Sequence, residues 1–104
     1  MIVVWMQQAE DALNCMVKYI NGQFGRKAAE RLLREAYHIG SLLEKNPHLG
    51  AIEPLLTHRS ITYRSIVISR LNKIVYRIVE DRIEIADFWD VRREPNSLAD
   101  QVKR

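Results

Sequence analysis

Hydrophobic periodicity changes once along this chain, from a helical repeat before residue 46 to a two-residue repeat after residue 62, and that change limits the folds available to it. In the first half, Leu13, Met16, Val17 and Ile20 stand at i, i+3, i+4 and i+7, which predicts an amphipathic helix over about 9–20. Cys15 lies close to that stripe and reads as a small core residue. The Asn21-Gly22-Gln23-Phe24-Gly25 segment carries two glycines and an Asn-Gly pair, so the helix is expected to end there and turn into a second. From Arg26 to Lys45, Ala29, Leu32, Leu33, Ala36, Gly40 and Leu43 repeat the helical spacing until Asn46-Pro47 stops it. Gly40 marks a place for close helix packing. A compact β-prone run, Ile2–Trp5, precedes both helices.

Residues 47–58 have loop composition, and no regular element is required there. Residues 63–69, 73–79 and 83–91 then read as three strands of an antiparallel meander, parted at Leu71-Asn72 and at the Glu80-Asp81 turn. Ile74, Tyr76 and Ile78 give one apolar face for the helices to cover. Lys73, Val75, Arg77 and Val79 give a second face that mixes cations with valines, too apolar for a wholly solvated surface, so a partner is expected over part of it. The fold class is α+β: a short strand, a two-helix antiparallel hairpin and a mainly antiparallel sheet, in the order β-α-α-β-β-β. At 104 residues this is one domain, residues 1–104.

Charge is unevenly spread. Residues 1–57 hold six Lys/Arg and six acids, so the net +3 lies wholly in residues 58–104. No acid occurs between Glu53 and Glu80, whereas Arg59, Arg64, Arg70, Lys73 and Arg77 fall in that gap. A cationic field of this kind steers phosphate or an acidic protein segment; its bland counterpart is a solvated sheet face. Asp87 and Asp90 are candidates for structural ion pairs with Arg64, Arg77 or Arg92.

Other chemistries lack their residues. One cysteine permits no intramolecular disulfide, Cys-rich zinc site or paired-cysteine redox motif, and suits a reducing cytoplasm. His38, His48 and His58 do not have metal-ligand spacing, and the four glycines fit no phosphate loop, so neither a metal nor a cofactor is expected. No apolar run is long enough for a membrane span, and no signal sequence is evident.

The order of Trp5 after a short strand, the helical hairpin, the Asn46-Pro47-His48-Leu49-Gly50 loop, Tyr63-Arg64, Lys73-Ile74-Val75-Tyr76-Arg77-Ile78, Glu80-Asp81 and the closing Asp90-Val91-Arg92-Arg93-Glu94-Pro95 resembles the RelE/ParE superfamily of bacterial type II toxin-antitoxin toxins, the plasmid stabilisation family. The resemblance implies a cytoplasmic toxin neutralised by a cognate antitoxin, as a hetero-oligomer or with a toxin homodimer. It offers two activities. ParE-like members bind DNA gyrase without chemistry of their own, and Arg59, Arg64, Arg77, Arg92, Arg93, Lys103 and Arg104 are then candidate contacts. RelE-like members cleave mRNA on the ribosome, for which Arg64, Lys73 and Arg93 match the family's phosphate-holding cations. RNA-cleaving members usually place a Tyr or His near the C-terminus as acid or base. Residues 94–104 contain neither, and Glu94 or Asp100 could substitute only within hydrogen-bond reach. That departure favours the gyrase-binding branch.

Overall fold

The computed structural model describes residues 1–69 and 72–91. Strand β1 (Ile2–Trp5) leads into helix α1 (Gln7–Phe24) and helix α2 (Arg26–Lys45). A two-residue strand β2 (Ala51–Ile52) and a 3₁₀ turn (Pro54–Leu56) follow, then strands β3 (Tyr63–Ile68), β4 (Asn72–Val79) and β5 (Arg82–Asp90). The sheet order is β1-β5-β4-β3-β2, with β1 parallel to β5 and all other neighbours antiparallel. The α+β architecture and the three-strand meander agree with the sequence analysis; β2 and the 3₁₀ turn are additions in the segment expected to be irregular.

The hairpin of helices lies on one face of the sheet. Ala9, Leu13, Leu32, Ala36 and Leu43 meet Ile68, Ile74, Tyr76, Ile83, Ile85 and Phe88 in the main core. Burying a Leu or Ile side chain of this kind contributes about 1.5–3 kcal/mol, so this layer supplies most of the driving force. In β5 the phase slips once: Val75 pairs with Asp87 and Tyr76 with Ile85, which leaves Ala86 as the extra residue of a bulge. That slip lets Ile83, Ile85 and Phe88 all face the helices while Ala86 and Trp89 face away.

Three local expectations are corrected. Helix α1 extends past residue 20 to Phe24 and ends at the second glycine of the expected 21–25 stop segment, because a glycine inside a helix costs only about 1 kcal/mol and the left-handed residue is Gly25, at φ 93°. Cys15 is exposed rather than in the core; it points away from the face on which Ala9 and Leu13 are buried. Gly40 is buried against Trp5 of β1 rather than against the other helix: a Cβ there would lie 3.7 Å from the indole Nε1.

The larger correction concerns the second sheet face. The chain covers the centre of that face itself. Leu56, with Leu55 and Ile61 beside it, packs on Tyr63, Val75, Ala86 and Trp89 to form a second core. Loop composition concealed this layer, since its apolar residues have no period. Val67 remains 66% exposed at one end of the face.

Candidate functional site

The cations of the acid-free stretch do not form one array. Arg64 pairs across the ladder with Tyr76, whose ring is in the main core, so Arg64 belongs to the helix side of the sheet. Lys73 and Arg77 alternate with Ile74 and Tyr76 and belong to the opposite side. Each has an internal acceptor. The Arg64 Nη1 donates to the Gly50 carbonyl at 2.8 Å. The Lys73 ammonium bonds the carboxylate of Glu53, which is buried. Arg77, also buried, donates from Nε to Glu84 Oε1 and from Nη1 to the Tyr63 hydroxyl, each at 2.7 Å, with its guanidinium 5.6 Å from the Tyr63 ring centre.

The acids that complete these pairs lie at or just beyond the limits of the acid-free stretch. Burial works to raise the Glu53 pKa, but the Lys73 hydrogen bond, the Leu55 N–H and Ser65 together outweigh it and hold the carboxyl below its ordinary 4.5. Glu53 also caps the 3₁₀ turn, accepting the Leu55 N–H at 2.9 Å. Glu84 is held below 4.5 by its hydrogen bond from Arg77 and, against the cost of burial, by Arg82, whose Nη2 is 2.9 Å away. Of the aspartates considered for ion pairs, Asp87 accepts from Gln8 Nε2 and from the Phe88 N–H.

Arg59 is half-buried beside the 3₁₀ turn, where its N–H bonds the Leu56 carbonyl at 3.1 Å. Arg92, Arg93, Lys103 and Arg104 lie outside the described residues, as do Arg70, Glu94 and Asp100. Among the described residues, no three His, Cys, Asp or Glu side chains come together as a metal site, and no helix is long and apolar enough to cross a membrane.

Gly50 fastens the loop after α2 to the sheet. Its N–H donates to the Tyr76 hydroxyl at 2.9 Å, and that hydroxyl donates to the Pro47 carbonyl at 2.7 Å. A Cβ on Gly50 would lie 2.8 Å from both the Ser65 carbonyl oxygen and Tyr76 Cε1. Gly50→Ala should therefore cost about 1–3 kcal/mol by overpacking. Tyr76→Phe should cost a similar ~1–3 kcal/mol by leaving a buried N–H without an acceptor. Urea denaturation checks both; loss of less than ~0.5 kcal/mol in each variant would show that the clasp contributes nothing.

A groove of about 420 Å³ opens elsewhere, where the tip of the helical hairpin meets the start of β4. Ile20, Ala28, Leu32, Arg31, Glu35, Ser69 and Asn72 line it. Asn72 pairs with Ile68 and therefore faces the helices. It is buried, and among the described residues its Nδ2 has no hydrogen-bond partner. A buried donor in that state typically costs about 1–3 kcal/mol. Neither this groove nor Glu53 was signalled by the hydrophobic pattern, although Glu53-Pro54 is a recognisable turn start.

This arrangement of a helical hairpin on a mixed five-stranded sheet has a counterpart among solved structures. A chain from the chromosomal ParDE TA system of P. aeruginosa superposes with a TM-score of 0.71 at 16% identity, over 86% of this chain and 95% of that one. No curated protein matches the sequence. The family model for the ParE toxin of the type II toxin-antitoxin system, parDE, matches residues 3–95, and the chain belongs to that family.

Proposed function

We propose that the protein is a growth-inhibiting toxin that acts by binding DNA gyrase through its surface, without chemistry of its own, and that a cognate antitoxin neutralises it. Both partners would be met in the cytoplasm. Membership of the ParE toxin family supports the toxin class. The observation that favours binding over RNA cleavage is the separation of Arg64 from Lys73 on opposite sides of the sheet, each held by an internal acceptor. Cleavage at a phosphate needs several cations converging on the oxygens that gain charge, preorganised and free to bond them. Arg64 and Lys73 do not converge. In the binding reading, Arg59 and Arg64, with Arg92, Arg93, Lys103 and Arg104, remain the contacts to test, whereas Arg77 serves the interior.

Pulse incorporation of labelled thymidine and methionine, measured just after induction of the gene without its antitoxin, separates the activities. Thymidine uptake is expected to fall first. An earlier fall in methionine uptake would overturn the gyrase reading in favour of the ribosome and mRNA as target.

A further inference from the structure

We propose that the groove between the hairpin tip and the start of β4 binds a free α-amino acid with a branched aliphatic side chain. The site is independent of the toxin's target and rests on three features of this chain.

The first is shape. Ile20, Ala28 and Leu32 wall a groove of about 420 Å³, which is the size of a small-molecule site. Apolar walls of this kind take an aliphatic group. The second is Asn72, whose side chain lines the groove and is buried, with no acceptor for its Nδ2 among the described residues. A buried donor in that state is satisfied when a ligand brings an oxygen to it.

The third is a pair of opposite charges. Arg31 and Glu35 both line the groove and are exposed. Arg26 and Glu30, with the same i, i+4 spacing on the same helix, close a salt bridge at 2.8 Å, whereas among the described residues Arg31 and Glu35 close none. The rim thus offers one open cation and one open anion, with about 5–6 Å between their Cβ atoms. An α-amino acid carries its ammonium and carboxylate on a single carbon. Its carboxylate bonds the Arg31 guanidinium and the Asn72 Nδ2, its ammonium meets Glu35, and its side chain lies on Ile20, Ala28 and Leu32.

Other occupants answer only part of this set. A fatty carboxylate faces the like charge of Glu35, and an alkylamine leaves both Arg31 and the Asn72 donor unanswered. Within a polypeptide both groups of a residue are consumed in amide bonds, so a protein segment does not present the pair. A second copy of this chain brings a net charge of +3 against its own like charge.

The test titrates the isotope-labelled full-length protein with L-leucine and follows the Asn72 side-chain amide by NMR. The resonance is expected to move downfield and saturate, with a dissociation constant of about 1 mM or tighter. Isocaproate, which lacks the ammonium, isoamylamine, which lacks the carboxylate, and L-alanine, which lacks the branched chain, should each bind about fivefold more weakly or worse. Arg31→Gln and Glu35→Gln, both on the exposed rim, should each weaken leucine binding about fivefold. Thermal melts confirm that both variants fold. An Asn72 amide unmoved by leucine up to about 20 mM, or unchanged leucine affinity in both variants, would overturn the proposal. Isocaproate binding as tightly as leucine would replace it with a plain carboxylate site. An Asn72 shift that follows protein concentration without leucine would replace it with a seat for a second copy.

Discussion

Arg77→Met should lower stability by about 3 kcal/mol, a fall in melting temperature on the order of 12–20 °C for a domain of this size. Arg77 and Glu84 side chains are only 6% and 7% exposed, so neither charge has water to fall back on. Removing the guanidinium leaves Glu84 Oε1 and the Tyr63 hydroxyl without the donor that each now has at 2.7 Å. Arg82 still reaches Glu84 Oε2, and this limits the loss. The double variant Arg77→Met, Glu84→Met should recover much of it, because two apolar side chains of similar volume replace a desolvated pair. Urea denaturation of the two single variants and the double variant measures the coupling. Simple additivity of the two single losses would mean that the pair is not a unit and that Arg77 is available to an external ligand.

The same arginine shows where the sequence misleads. Its position in an acid-free run marks it as part of an exposed cationic field, but the run is defined along the chain while ion pairs form across strands. The β4–β5 hairpin brings Glu84 opposite Arg77, and the 3₁₀ segment folds Glu53 back over Lys73. The helices and the three meander strands were legible because period alone determines them. The ends were less so: the 21–25 stop segment holds two glycines, of which Gly22 continues the helix with open space where a Cβ would stand and Gly25 ends it. The second core was illegible for a different reason. Leu55, Leu56 and Ile61 are too few and too irregularly spaced to declare a layer, and only the fold shows that they replace the partner expected over Val75. Asn72 is least legible of all, since nothing in a sequence distinguishes a satisfied buried amide from an orphaned one.

Glu53→Gln should have the second large effect, and its pH dependence identifies the cause. The substitution keeps shape and an oxygen for the Leu55 N–H but removes the charge that meets Lys73, whose side chain is 14% exposed. A loss of about 3 kcal/mol at pH 7 is expected, the usual result of leaving one charge of a buried pair without its partner. In the wild type the folded-state pKa of Glu53 lies below the ordinary 4.5. Its contribution is therefore fully present above pH 4.5 and is lost as pH falls through the lower folded-state value, because the unfolded chain takes up the proton first. Glu84 titrates with the same sign. Stability of the wild type should hold from neutral pH to about pH 5 as far as these two groups govern it, then decline steeply. The Glu53→Gln variant starts lower and declines less, so the gap between the two proteins narrows with acid. Urea denaturation midpoints across pH 3–7 follow that gap directly. Parallel profiles, with a constant difference at every pH, would show that Glu53 contributes packing rather than charge, and Lys73 would then be free to act outward.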